Sequence, residues 1–210
     1  MAELVWTART SAAGNWWNGI AWSPSLGLFV AVAETGAGNR VMTSPDGITW
    51  TARSSVDGAW QAVTWSPQLG LFVAVAYSGT AVMTSPDGII WTGRSAPSNQ
   101  WYAIAWSPDL GLFAAVAATG AGDRVMTSPD GITWTARTSA ADNNWTGIAW
   151  SPALGLFAAV ANTGAGNQAM TSPDGITWTS RTTAVDIEWL SVTWSPALGL
   201  FVAVAKLPSV

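Results

Sequence analysis

Apolar positions in this chain fall into short runs at β spacing, and each run is cut off by a turn signal. Between Trp145 and Arg181 there are four such runs: Trp145 to Trp150, Leu156 to Ala161, Gln168 to Thr171, and Ile176 to Arg181. They are joined by Ser-Pro-Ala-Leu-Gly, Asn-Thr-Gly-Ala-Gly-Asn and Ser-Pro-Asp-Gly. No run has the length or the 3.6-residue period of a helix, so the pattern predicts four antiparallel strands linked by tight turns. The second run, Leu-Phe-Ala-Ala-Val-Ala, is apolar at both parities and must be covered on both faces.

The same pattern returns along the whole chain. A Trp-Ser-Pro-x-Leu-Gly-Leu-Phe word starts at Trp22, Trp65, Trp106, Trp150 and Trp194, at spacings of 43, 41, 44 and 44 residues. A Ser-Pro-Asp-Gly-Ile word begins at Ser44, Ser85, Ser128 and Ser172 and ends in Trp-Thr at Thr51, Thr92, Thr135 and Thr179, with Ile90 standing where the other copies have Thr. In this word Pro presets φ, Asp bonds nearby backbone N–H groups, and Gly takes positive φ, which reads as a hairpin turn between the third and fourth runs. A period of this length signals stacked supersecondary units.

Four antiparallel strands per unit, repeated five times, predict an all-β fold: a five-bladed β-propeller occupying residues 1–210 as one domain. Alanines in the second run suit close approach near a narrow axis, while Trp50, Trp91, Trp134 and Trp178 fill the wider gap farther out. The chain is cut out of phase with its repeats. The Trp6 to Arg9 run is therefore expected to close the ring as the outer strand of blade five, whose first strands lie at Trp189 to Trp194 and Leu200 to Ala205. The third strand of that blade falls to Lys206 to Val210, either abbreviated or missing.

The Ser-Pro-Asp-Gly-Ile-Thr-Trp word resembles the Asp-box of sialidases and related propellers, but lacks a residue between Asp and Gly. The repeats are also similar to uncharacterised repeat propellers of phage and bacterial proteins. The resemblance implies the turn and the propeller architecture. Sialidase chemistry would need three arginines converging on a carboxylate, a Glu-activated Tyr and an acidic donor. Arg40 and Arg124 lie in equivalent loops, and Tyr77 and Tyr102 have no matching Glu word. Arg9, Arg53, Arg94, Arg137 and Arg181 recur once per blade and are expected to pair locally, as Asp46, Asp87, Asp130 and Asp174 are expected to cap turns. A two-carboxylate glycosidase using Glu34 and Glu188 would be decided by their separation.

Composition narrows the partners. Charged residues make up 10% of the chain, the net charge is −4, and no Lys/Arg run occurs, so nucleic acid and anionic membranes are not expected partners. With no Cys and no His, thiolate chemistry, imidazole bases and the commonest zinc ligands are excluded; no metal or cofactor is expected. No charged segment followed by an apolar run opens the sequence, and no apolar stretch approaches the ~18 residues of a membrane helix.

Strand parity puts the two near-invariant turns on one face of the ring and the variable loops and crossovers on the other. Each crossover ends in a Trp: Trp17, Trp60, Trp101, Trp145 and Trp189. With Asn15, Trp16, Asp57, Asn99, Asn144 and Glu188 beside them, these form the candidate ligand-binding set. An indole face next to amide or carboxylate groups suits a neutral glycan, and five sites would add avidity. The alternative for these Trp is packing between blades, with Trp16, which has no counterpart, left as the exposed aromatic. The expected function is thus a noncatalytic, lectin-like binding module. The alternatives are a propeller that docks on a protein surface, or an engineered or reconstructed symmetric scaffold without a ligand. Exposed strand edges in an incomplete fifth blade make self-association an expectation.

Overall fold

The structure is a computed structural model that describes residues 5–79 and 81–206. Four sheets have four strands each, in simple meander order. The first holds β1 (Trp17–Ser23), β2 (Leu28–Ala33), β3 (Val41–Ser44) and β4 (Thr51–Arg53). The second holds β5 (Gly58–Ser66), β6 (Leu71–Gly79), β7 (Val82–Ser85) and β8 (Thr92–Arg94). The third holds β9 (Trp101–Ser107), β10 (Leu112–Ala117), β11 (Val125–Ser128) and β12 (Thr135–Arg137). The fourth holds β13 (Trp145–Ser151), β14 (Leu156–Ala161), β15 (Ala169–Ser172) and β16 (Thr179–Arg181). A fifth sheet has two strands, β17 (Glu188–Ser195) and β18 (Leu200–Lys206). Register is the same in every complete sheet, as in Phe157↔Ser172 and Val160↔Ala169 beside Phe29↔Ser44 and Val32↔Val41.

The sheets stand as blades around an axis. The first strands β1, β5, β9, β13 and β17 lie innermost, successive ones adjoin, and all five line one axial space. The interface between blades explains the second run's apolar character. Val30, Val32 and Val41 on one face of blade 1 are buried against Trp60, Trp65, Phe72, Ala74 and Met83 on the facing side of blade 2. Equivalent cores lie between blades 2 and 3 and between blades 3 and 4. The narrowest point belongs to the first strand, at Gly19, Ala62, Ala103, Gly147 and Ser191. A Cβ on Gly147 would stand 2.9 Å from the Ser191 Cα, and one on Gly19 the same distance from the Ala62 Cα.

Two hydroxyl-anchored turns cap one end of each four-stranded blade. Ser172 Oγ donates to Asp174 Oδ1 (3.0 Å) and accepts from the Gly175 N–H (2.8 Å), while Asp174 Oδ1 accepts from the Ile176 and Thr177 N–H groups. Gly175 sits at φ 72°, where a side chain would be strained. The Ser44, Ser85 and Ser128 turns repeat this arrangement. In the other turn, Ser151 Oγ accepts from the Leu154 N–H. The fourth-strand arginines pair locally as expected, with Arg181 Nε donating to Thr171 Oγ1 and Arg53 Nε to Thr43 Oγ1.

Three expectations need correction. The fourth run is shorter than its β-prone residues suggest, because the Asp turn consumes Ile176 and Thr177 and the strand begins only at Thr179. Trp178 therefore sits before the strand, donating its Nε1–H to the Gly175 carbonyl and packing 6.2 Å from Phe157. The N-terminal run does not close the ring: residues 5–10 form no strand, and Trp6 is 97% exposed. Blade 5 accordingly remains a two-stranded sheet among the described residues, and the expected third-strand segment beyond Lys206 lies outside them. Ring closure is lacking as well, since no interface like those between the other neighbours joins β17 to β1 among the described residues. Ile20 on the open face of blade 1 is 60% exposed, against 8%, 8% and 7% for its counterparts Val63, Ile104 and Ile148.

Gly147→Ala should destabilise the fold by about 1–3 kcal/mol, because the new Cβ meets backbone that cannot give way, a loss that urea denaturation would measure. The turn carboxylates make stability acid-sensitive. At Asp46 the Thr49 and Ile48 N–H groups and the Ser44 hydroxyl hold the pKa down at about 2. At Asp87, Asp130 and Asp174 partial burial pulls upward, but the bonds from two backbone N–H groups and a serine together outweigh it and the net shift is downward. Stability from these groups is whole above the unfolded value of 3.8 and is lost as pH falls through the folded value. Replacing all four by Asn should flatten the fall in urea midpoint between about pH 4 and pH 2.

Candidate functional site

The loops sort by face as parity requires, since the second-to-third-strand loops and the crossovers are bonded to one another. Asn15 Nδ2 donates to the Asn39 carbonyl, Asn99 Nδ2 to the Asp123 carbonyl, and Asn143 Nδ2 to the Asn167 carbonyl. Arg40 donates to the Gly36 and Gly58 carbonyls, and Arg124 to the Gly120 and Ala118 carbonyls and to Asn144 Oδ1. Gln168 exchanges two bonds with the Ile187 backbone. These three side chains are latches that tie each loop to the next crossover. Blade 2 has Ala81 at this position and a shorter loop, which leaves an open cleft of about 320 Å³ between Tyr77, Ser78, Asn99, Gln100 and Thr119.

Most of the expected ligand-binding set is engaged in this scaffold. Trp60, Trp101 and Trp145 are fully buried, with indole N–H groups donating to the carbonyls of Val56, Pro97 and Ala141. Trp17 makes the same bond to Ala13, and it and Trp189 are half-buried. The rings of Trp60, Trp101 and Trp145 present no face to a sugar; they are the packing that the pattern also allowed. Asn15, Asn99 and Asn144 hold loops, Asp57 lies 3.8 Å from Arg40 at the surface, and Glu188 lies 3.8 Å from Lys206 on blade 5. Trp16 is the exception, with its side chain 68% exposed while its backbone bonds Glu34 and Thr35.

The structure brings together a different group at the crossover end of the axis. The residue after each crossover Trp, namely Asn18, Gln61, Tyr102, Thr146 and Leu190, lines an axial opening of about 360 Å³. Asn18 Nδ2 donates to Glu34 Oε2 (3.3 Å) and Gln61 Oε1 (3.2 Å), and Gln61 Nε2 donates to Glu34 Oε2 (3.2 Å), bridging blades 1 and 2. Tyr77 meets Tyr102 edge to face at 5.6 Å. Burial pushes the Tyr102 phenol pKa up, with Tyr77 and Glu34 adding to the shift, so the hydroxyl stays a neutral donor. Thr146 Oγ1 donates to the Trp189 carbonyl across blades 4 and 5.

These residues were readable in the sequence. Aligning the five repeats on one another shows two columns that differ in every copy: Asn18, Gln61, Tyr102, Thr146, Leu190 in the first strand, and Glu34, Tyr77, Ala118, Asn162, Lys206 directly after the Val-Ala of the second run. The more conspicuous tryptophans drew attention one position away. Trp145→Ala should cost about 3–5 kcal/mol, whereas Trp16→Ala should change stability by no more than about 0.5 kcal/mol, a contrast that parallel thermal melts would register.

No protein-family model matches the chain, and a search of curated proteins finds no match. Solved structures do resemble it. A gluconolactonase of Xanthomonas campestris is 15% identical with a TM-score of 0.70, over 92% of this chain and 71% of that one. A chain of the nidogen/laminin complex is 12% identical with a TM-score of 0.62, over 86% and 69% respectively. YCF48 bound to D1 peptide is 15% identical with a TM-score of 0.56 over 84% of this chain, which spans 56% of that protein. At such identities the shared property is architecture, and with the blade geometry above it makes this chain a β-propeller.

Proposed function

We propose that this propeller is a noncatalytic recognition module that takes an uncharged polar segment of another polypeptide across the axial mouth on its crossover face. The observation that carries this reading is the column at the mouth, Asn18, Gln61, Tyr102, Thr146 and Leu190, where five copies of one repeat hold five different side chains. Asn18, Gln61 and Tyr102 offer amide and phenol donors and acceptors, with Tyr77 packed edge-on against Tyr102, which suits the peptide groups of an extended chain. Among the structural neighbours, YCF48 is bound to the D1 peptide and nidogen to laminin, which supports a polypeptide ligand. Against catalysis, Glu34 is engaged by Asn18 and Gln61, Glu188 faces Lys206, and the Tyr102 phenol, its pKa raised by burial, stays protonated.

A neutral glycan is the second reading, favoured by Trp16 alone. Its indole is exposed, while its backbone is fixed by the Glu34 N–H and the Thr35 hydroxyl. It offers a single stacking site, unlike the fivefold array that the repeated crossover tryptophans suggest by sequence.

Selection from a random peptide library on the intact chain, run beside a glycan array, separates the readings. Peptide ligands should lose about tenfold or more in affinity on Tyr102→Ala and on Gln61→Ala, and keep it on Leu154→Ala at the opposite face. Array binding abolished by Trp16→Ala, with no peptide selected, would replace the polypeptide with a sugar. Silence in both screens would leave a scaffold without a ligand and overturn the proposal.

A further inference from the structure

The side chains around the axial mouth differ in the hydrogen bonds they have left to give. A carboxylate only accepts, so Glu34 draws both neighbouring amides to it nitrogen-first: Asn18 Nδ2 at 3.3 Å and Gln61 Nε2 at 3.2 Å reach the same Oε2. Asn18 Nδ2 donates also to Gln61 Oε1, and Gln61 Nε2 to the Ala59 carbonyl. The amide N–H groups of blades 1 and 2 are thereby spent, while Asn18 Oδ1 and Glu34 Oε1 accept no hydrogen bond among the described residues. Blade 3 offers the reverse, a Tyr102 hydroxyl that burial keeps protonated and that makes no hydrogen bond among the described residues. Blades 4 and 5 offer no proton at all: Thr146 Oγ1 gives its own to the Trp189 carbonyl at 2.7 Å, and Leu190 is apolar and exposed. Asn18, Gln61, Tyr102, Thr146 and Leu190 line the same opening.

We propose that the mouth selects a glutamine side chain of the segment that docks on it, with the primary carboxamide as the group recognised. This inference rests on the reading of the mouth as a polypeptide site. The carboxamide nitrogen has two protons for the two open acceptors, Asn18 Oδ1 and Glu34 Oε1, its oxygen accepts from the Tyr102 hydroxyl, and its methylenes lie against Leu190. Other side-chain heads match only part of this set. Lysine and arginine carry donors alone and leave the phenol without an acceptor. Glutamate carries acceptors alone and brings a second carboxylate beside Glu34, and serine or threonine has one proton for two acceptors. Asparagine has the same head on a shorter stem, with less to lay against Leu190.

The test uses peptides selected on the intact chain whose binding is lost in Tyr102→Ala. They should share a glutamine, and replacing it by methionine, which keeps the length and removes the polar head, should weaken binding about tenfold or more, as should replacing it by lysine. Tyr102→Phe, which keeps the ring that packs on Tyr77, should weaken the glutamine peptide about fivefold and leave the methionine peptide unchanged. A tyrosine that only shaped the mouth would not produce that coupling. Peptides that depend on Tyr102 yet tolerate methionine, or bind more tightly with lysine, would overturn the glutamine assignment and leave the polypeptide site standing. Absence of any peptide that depends on Tyr102 would overturn both.

Discussion

A sheet that is apolar on both faces cannot stand in water, and the rest of this molecule depends on that constraint. The Leu-Phe-x-Ala-Val-Ala strand has Val on one side and Phe and Ala on the other, and in blades 2 and 3 a neighbouring blade lies against each side. At roughly 25 cal/mol per Å² of apolar surface removed from water, burying both faces dominates over any single hydrogen bond. The small column at Gly19, Ala62, Ala103, Gly147 and Ser191 is what lets the wedges converge. Where the neighbour is missing, at the outer sides of blades 1 and 5, side chains that are closed in every other copy stand open.

This requirement divides the surface. On one face the Ser-Asp and Ser-Leu turns satisfy their own backbone groups from within, and uniformity there follows from geometry. On the other face, the loops are held by side chains that differ from blade to blade. Arg40, Arg124 and Gln168 reach across to the next crossover by different means, and Ala81 does not reach at all. The axial mouth collects one side chain from each innermost strand, polar in all but Leu190, and several of them, such as Asn18, Gln61 and Thr146, bond to the neighbouring blade.

Much of this was legible in the sequence. Turn words at fixed spacing, the doubly apolar run and the Trp positions define blades, strand order and the assignment of loops to faces. The failures have separate causes. Ile176 and Thr177 look like strand residues, but the Asp174 carboxylate takes their N–H groups, a local bond that β-propensity does not register. Trp6 to Arg9 has the right letters for an outer strand, yet the strand it should pair with is absent from the described part of blade 5. The crossover tryptophans recur beside polar residues, but at Trp60, Trp101 and Trp145 the ring is wholly buried. A side chain one position along, such as Gln61 beside Trp60, turns the opposite way in a strand and so reaches the axis.

The division of hydrogen bonding has a mechanical corollary. Every strand ladder closes within a single blade, while cohesion between blades comes from side-chain packing and a few tethers such as Trp106 Nε1 to Gln68, Trp150 Nε1 to Asp109, and Thr146 to the Trp189 carbonyl. Such an arc is quasi-linear in its energetics, with each sector answerable only to its immediate neighbours. Pulled or heated, it would come apart like a stack losing its end tiles, beginning at the two-stranded sector and leaving the inner trio of blades intact as a remnant.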